Sequence, residues 1–560
     1  MKEFSYFNYK RRATSIVQVG NTPLGGENLI RVQSMANTST MDTESSVEQA
    51  LRMASKGAEY IRFTTQGLRE AENLRHIKEE LRKRGCNVPL VADVHFNSKV
   101  ALEVAKYVEK VRINPGNFVD GAKRFEEISY TDEEYLLELK GLHSRFVELL
   151  KVCKEHHTAL RIGVNHGSLS DRIMSRYGDT PEGIVESCME FLRICKEEKF
   201  EDVVVSIKSS NVLVMVKSVR RLVDAMEREG LHYPLHLGVT EAGNGEDGRI
   251  KSALGIGTLL NDGIGDTIRV SLSEPPECEI PVAKSLVEYI AQRSAGNLVE
   301  GKMMKGFDYL NPQRVESAFS RSFVKEEGHF FLKEDVERIK KSYTLFELEW
   351  KDLTKEMLEN LKSSSKEIIL LRTHSLNGVG EQRAFFHYLL EERISLPVII
   401  ERDYNEEDIE QLRIKASADL GPLLLDGFGD AICIHNEGGI SKEELRSCGM
   451  SILQAARRVF SKPEYIACPS CGRTLFDLQT TLEAIKKATA SQKKLKIGVM
   501  GCIVNGLGEM ADADYGYIGS GRGEVNLYKG KECILRHIPQ EEAVDKLVEL
   551  IKLNGDWEEA

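Results

Sequence analysis

Eight short β-rich runs, each followed by a helical stretch, open this 560-residue chain. They are Leu29–Ser34, Ala58–Thr64, Pro89–Phe96, Val108–Asn114, Ala159–Asn165, Asp202–Lys208, Pro234–Glu241 and Asp266–Leu272. One βα unit repeated eight times without a break admits few folds. It predicts an α/β protein whose N-terminal part is a (β/α)8 barrel of the TIM type, closed through right-handed crossovers. The chain is long enough for further domains. Its rhythm predicts a barrel over 1–295, an inserted α/β domain over 296–455 and a C-terminal α/β domain over 456–560.

A buried parallel strand should be almost wholly apolar. These strands are not. Arg62, Asp93, His95, Arg112, Asn114, Arg161, Asn165, Lys208, His236, Glu241, Arg269 and Ser271 all fall in or at the carboxyl half of a run. That end of a barrel carries the active site. One such Arg would read as half of an ion pair. Four Arg and one Lys from five strands would need five buried acids, and the strands offer Asp93 and Glu241. Unpaired buried cations are unfavourable. The barrel mouth therefore reads as a cationic funnel for a polyanion, and Arg forks suit phosphate oxygens. Glu241 does not fit an anion clamp and reads as a proton donor or base. The chain as a whole carries a net charge of −11, which argues against a general nucleic-acid binder and leaves a small phosphorylated substrate.

The last fifth holds a second constellation. Cys468-Pro-Ser-Cys471 precedes an amphipathic run that starts at Thr474 and carries Leu475, Leu478, Leu482 and Ile485, which predicts a helix. Lys496–Gly501 predicts a buried strand that delivers Cys502 into a glycine-rich turn. Three thiolates could hold an iron–sulfur cluster, normally a four-cysteine site. Zinc is open too, although a structural zinc site closes with four ligands and no second CxxC exists here. A purely structural role is the third reading. Cys533 is the spare thiol. Eleven Cys in so long a chain make no disulfide framework, and Cys188 and Cys195, seven apart on a predicted helix, read as core. No segment is long and apolar enough for a membrane span, and the first residues have no signal-like apolar stretch, so a cytoplasmic protein is expected.

The middle stretch is polar and helical over Lys333 to Lys341, then predicts strands at Glu367–Arg372, Pro397–Glu401 and Ala431–His435. It contains an echo of the barrel. Ile250–Ser271 and Ile414–His435 agree at 10 of 22 positions and share an Asp-Gly-x-Gly-Asp turn. Arg269 becomes Cys433, Ser271 becomes His435, and Lys208 has its counterpart in Thr373. The middle domain thus reads as a partial barrel copy that kept its skeleton and lost its anion ligands: a spacer or scaffold.

Particular stretches resemble one family. They are Val32–Asn37, Val91–Phe96, Arg112–Asn117, Arg161–Asn165, Pro234–Gly243 and Gly265–Ser271, with Cys468–Asp477 and Met500–Gly506 near the end. The chain resembles the 4-hydroxy-3-methylbut-2-enyl diphosphate synthases, iron–sulfur enzymes of the methylerythritol phosphate route to isoprenoids, in their long three-domain form. The resemblance implies one [4Fe-4S] cluster held by Cys468, Cys471, Cys502 and Glu509, on a domain like that of sulfite and nitrite reductases. It implies two-electron reductive ring opening of 2-C-methyl-D-erythritol 2,4-cyclodiphosphate with loss of water. Arg62, His95, Arg112, Arg161, Asn165, Lys208, Arg269 and Ser271 would bind that substrate, Glu241 would be catalytic, and ferredoxin or flavodoxin would supply electrons. A homodimer is also implied. One departure is Gly506-Leu507-Gly508-Glu509, where the family has Pro in place of Leu507; Leu leaves free a φ that Pro fixes.

Two other readings compete. A reductase with a second, haem-type cofactor would need a pocket and more cluster cysteines than the sequence offers. An iron–sulfur sensor with the barrel as a binding module would not need five cations and a carboxylate at one mouth.

Overall fold

The structure is a computed structural model that describes residues 6–118, 129–364, 366–510 and 512–559. The chain divides into two compact units. One comprises Ala13–Gly248, Gly265–Lys284 and Lys462–Ala560; the other comprises Met1–Arg12, Arg249–Ile264 and Ser285–Ser461. Among the described residues, no helix is long and apolar enough to cross a membrane.

The first unit contains the barrel. Its strands are β1 (Arg31–Met35), β2 (Tyr60–Thr65), β3 (Leu90–Val94), β4 (Lys110–Ile113), β5 (Ala159–Asn165), β6 (Val203–Lys208), β7 (His236–Leu237) and β8 (Thr267–Ile268). All are parallel, β1 pairs with both β2 and β8, and a bridge between Val205 and Leu235 joins β6 to β7, so the cylinder nearly closes. Every residue of β2, β3, β4, β5 and β6 is buried, as expected of strands covered on both faces. One end of the barrel is shut by apolar packing. Val17 and Leu24 pair across a short antiparallel bridge and, with Val19, pack on Tyr60, Val91, Ala159 and Val204 near the strand starts. Only the carboxyl end is left to host polar chemistry.

Two strands are much shorter than expected. β7 stops at Leu237, and Glu241 adopts a left-handed backbone, φ +48°, which no strand residue can hold. β8 stops at Ile268, although Arg269 N still donates to Leu237 O at 2.9 Å. The segments beyond them are turned to form the rim of the mouth.

The C-terminal part of the same unit is a five-stranded sheet: β14 (Glu464–Ala467), β15 (Lys496–Met500), β16 (Tyr515–Gly521), β17 (Glu524–Lys529) and β18 (Glu532–Pro539). The first three strands are parallel and the last two turn back antiparallel. The helices Leu478–Thr489 and Gln540–Leu553 bury Leu482, Ile485, Leu547 and Ile551 against Ile497, Val499 and Tyr517. The first of these helices starts four residues later than the apolar spacing predicts. Asp477 accepts from Thr480 N and ends the preceding turn, so Thr474 and Leu475 belong to the cysteine loop.

The second unit has five parallel strands where the sequence predicts three: β9 (Phe330–Phe331), β10 (Leu345–Leu348), β11 (Ile368–Leu371), β12 (Val398–Tyr404) and β13 (Ala431–Asn436), in the order β10-β11-β12-β13-β9. β9 has two residues and β10 is half exposed, too little apolar signal to stand out in a polar stretch. The helix Ile409–Leu425 precedes β13 as the helix Gly245–Asn261 precedes β8, so the repeat in sequence is a repeat of helix and strand.

Candidate active site

Neighbouring parallel strands release their chains on one edge of a sheet, and the cysteines exploit this. Ala467 lies in register with Val499. Cys468 follows β14 immediately and Cys502 follows β15 by one residue, so both emerge side by side. Cys471 closes the loop between them; its N–H is held by Thr474 Oγ1 at 3.0 Å. That edge rests on the barrel mouth of its own chain. Ala467 N donates to Glu241 O at 3.3 Å, and Ser273 Oγ donates to Cys468 O at 2.8 Å. Gly167 and Gly508 meet backbone to backbone: a Cβ on Gly508 would stand 2.3 Å from Gly167 O, so only glycine permits this approach.

One cavity results. Its wall includes Arg62, Arg112, Arg161, Asn165, Lys208, Glu241, Arg269 and Ser271 from the barrel and Cys468, Cys471 and Cys502 from the C-terminal sheet. Two clusters far apart in sequence therefore share one space. His95 lies behind this wall, against Arg112 and Asp93. Its Nδ1 meets Asn117, and burial holds its pKa down at about 3, so the ring is neutral.

The cations divide into two groups. Arg112 is paired: Nη1 donates to Asp93 Oδ1 at 2.9 Å, and Nη2 to Gly163 O and Asn165 Oδ1. Arg269 is paired as well, with Glu279 at 2.9 and 3.1 Å. Glu279 corrects the expectation that Asp93 and Glu241 are the only acids at this depth. It sits on the helix Glu279–Ala291, outside any strand, where a strand-by-strand reading does not look. Arg62, Arg161 and Lys208 have no ion pair among the described residues, and Nε and Nη1 of Arg161 meet no acceptor. Arg62 leans on the thioether of Met35 instead. Burial, followed by repulsion from the other cations, holds Arg161 and Lys208 well below their ordinary pKa values; burial takes Arg62 down to about 9 despite nearby Asp93. Gly238 makes room for Lys208, since a Cβ there would come within 2.8 Å of Nζ. Three buried cations without an ion pair among the described residues suit an anionic ligand.

The carboxylates face them. Glu509 is 4 % exposed and takes Asn165 Nδ2 on Oε1 at 2.7 Å; among the described residues, the Glu241 carboxyl is the group that faces it besides Asn165. Asp93, Arg112, Asn165 and Glu509 thus form one hydrogen-bonded line across the barrel mouth to the cysteine domain. Glu241 accepts from Thr240 and stands beside Glu509. Burial raises both carboxyls, Glu241 to about 7.

The donor set fits a cluster. Three thiols reach one cavity, Gly501 N donates to Cys468 Sγ at 3.2 Å, and the buried Glu509 carboxyl stands beside Glu241, which lines the same cavity. Without a cation, burial pushes the Cys468 thiol up, and a bound metal reverses that preference. Among the described residues, no three Cys, His, Asp or Glu converge on a single point as the ligands of one ion would. Ligands of a multi-iron cluster each bind a different iron and stand farther apart. Cys533 stands on β18 and points its thiol at Leu535 O.

Sequence reasoning passed over four residues here. Arg473 reaches Asp93 Oδ2 at 3.3 Å, tying the cysteine loop to the barrel. Its position two residues after Cys471 was the available signal. Met35, Glu279 and Ser273 carried none, because their roles arise only when the rim folds over.

Fold and site together define a TIM-barrel enzyme whose anion-seeking mouth is covered by a thiol-bearing domain of the same chain. A family model described as the GcpE TIM-barrel domain matches residues 14–284, and one described as the GcpE protein C-terminal domain matches 464–553. A protein of Parabacteroides distasonis is 54% identical over 99% of this chain and 100% of its own length. Relatives from Bacteroides fragilis (53%, covering 99% and 97%) and Porphyromonas gingivalis (49%, covering 99% and 99%) match as fully. All three are named 4-hydroxy-3-methylbut-2-en-1-yl diphosphate synthase (flavodoxin). The chain belongs to that family. The family, the oxidoreductase class and the place in isoprenoid biosynthesis implied by the motifs are borne out by these matches.

Proposed function

We propose that the cavity binds 2-C-methyl-D-erythritol 2,4-cyclodiphosphate and that its walls hold the substrate while two electrons and two protons open the ring and release water. The observation that carries this reading is the set of three unpaired buried cations facing three thiols in one cavity. Arg62, Arg161 and Lys208 take the diphosphate oxygens, and Arg269 and Arg112 border them while held by Glu279 and Asp93. Ser271 adds a hydroxyl, and His95 steadies Arg112 as a neutral ring.

Cys468, Cys471, Cys502 and Glu509 would hold one [4Fe-4S] cluster. When bound, such a cluster supplies electrons one at a time. The chain's own residues do the rest. The rim formed by Glu241, Ala242 and Ser273 seats the cysteine loop and excludes water. Glu241 carries a proton on its carboxyl near neutral pH and faces the cations that grip the substrate. It is placed to give that proton to the departing hydroxyl, which leaves as water. The ring carbon–oxygen bond to phosphate breaks, the diphosphate stays on the remaining carbon, and a carbon–carbon double bond forms. Flavodoxin is the reductant favoured by the relatives' names, ahead of ferredoxin. The domain reading 1–295, 296–455 and 456–560 is supported for its outer two domains by the family matches at 14–284 and 464–553, while the compact units place Met1–Arg12 and Arg249–Ile264 with Ser285–Ser461. The cysteine loop meets the barrel rim of its own chain; the homodimer is a separate expectation.

The test is Arg161→Ala. Removing hydrogen bonds to a charged group should weaken cyclodiphosphate binding by about 1.5–3 kcal/mol, or roughly 10- to 150-fold, with iron content unchanged. Calorimetry on the anaerobic protein reads the affinity. Unaltered affinity would remove the polyanion reading of the barrel.

A further inference from the structure

The second unit contains a buried cation that pairs with no acid among the described residues. Arg402, on β12, is 6 % exposed, and its Nε and Nη2 meet no acceptor. Its Nη1 lies against Gly378, so close that a Cβ on that glycine would come within 2.4 Å. Gly378 is the first residue of the 14-residue helix Gly378–Glu391. The guanidinium therefore sits at the positive end of a helix dipole, where a cation is disfavoured and an anion is favoured.

No side chain caps that helix. Elsewhere in the chain, Asn211 caps the helix Val212–Arg228 by accepting from Leu213 N and Val214 N. Asn377 holds the equivalent place after β11, but its Nδ2 is turned away to Phe7 O at 2.9 Å. The acids nearby are committed. Asp419 is shared by Arg293, Tyr289 and Tyr404. Glu381, in the helix's first turn, accepts from Thr373 Oγ1 at 2.6 Å and makes no ion pair with Arg402. Gly378 is what lets the guanidinium reach the helix start, since a Cβ there would also crowd Thr373.

We propose that Arg402 and the N-terminus of the helix Gly378–Glu391 form an anion site for the phosphate group of a small phosphorylated molecule. The site lies at the carboxyl end of β11 and β12, the end at which barrel-like sheets bind ligands. The second unit has exchanged the cations of the first for a different one: Cys433 and Thr373 replace Arg269 and Lys208, while Arg402 and a helix start without a side-chain cap supply the charge.

Crystals of the full-length protein soaked in selenate test this by anomalous scattering. Wild type should give a peak within hydrogen-bond distance of Arg402 and the Val379 and Gly380 amides. Arg402→Met should lose it and retain any peak in the barrel. In solution, the same variant should bind inorganic phosphate or inorganic diphosphate at that site at least ~10-fold more weakly. Titration with each separates a monophosphate from a diphosphate site. If Arg402→Met does not fold, the wild-type soak alone decides. A saturating soak with no peak beside Arg402 overturns the proposal, as does a variant that keeps the peak.

Discussion

Replacing Cys502 by Ser is expected to strip the anaerobically purified protein of most of its iron and to abolish turnover. The cause is geometric. Cys502 leaves β15 beside Cys468, which leaves β14, and these two points of attachment are fixed by sheet register rather than by a flexible loop. A missing thiolate would leave one iron of the proposed cluster without its protein ligand and make the cluster labile. The same loss is expected for Cys468→Ser and Cys471→Ser. Cys533→Ser is the control and should keep full iron, because that thiol is directed at Leu535 O on β18. Iron and sulfide analysis with the visible spectrum reads the result. Full iron in Cys502→Ser would remove the assignment, and loss of iron in Cys533→Ser would make Cys533, not Glu509, the fourth ligand.

Glu241→Gln is expected to lower turnover by at least ~10²-fold while substrate still binds and the protein still takes up electrons. Gln keeps the shape and the hydrogen bond from Thr240 but holds no acidic proton. The alternative role for Glu241 is electrostatic, as a counter-charge for Lys208 or Arg269. The structure weakens it for Arg269, which already has Glu279 on two nitrogens. The pH dependence separates the two roles. Burial raises the Glu241 carboxyl to about 7, so the donor form is present below that pH and is lost as pH rises through it. Turnover of the unmodified enzyme should fall on that alkaline limb, and Glu241→Gln should lack the limb. A Gln variant with near-normal turnover would show that the proton comes from another group.

The barrel was legible because its signal is repetition. Eight apolar runs with polar carboxyl ends leave one architecture, and each cation named from a strand lies at the mouth or just behind it. What stayed hidden depends on surfaces that meet only after folding. Glu279 neutralises Arg269 from a helix, Met35 offers sulfur to Arg62, and Arg473 reaches Asp93 across the domain boundary. None of these has a period or a spacing. The left-handed Glu241 was hidden for another reason: its run, Pro234–Glu241, reads as a strand, and only the bridge from Ala242 to Ala467 explains why it turns. In the second unit, two-residue β9 and half-exposed β10 lack the apolar mass that makes a strand readable.

The central claim is that barrel cations and cluster cysteines serve one reaction in one cavity. Its most direct test is single-turnover chemistry on the anaerobically reconstituted protein, reduced by dithionite or flavodoxin and mixed with 2-C-methyl-D-erythritol 2,4-cyclodiphosphate. The account predicts one 4-hydroxy-3-methylbut-2-enyl diphosphate formed for every two electrons consumed, with Arg161→Ala requiring more substrate and Cys502→Ser giving none. A fully loaded, reduced protein that binds the cyclodiphosphate and leaves it unopened would contradict it.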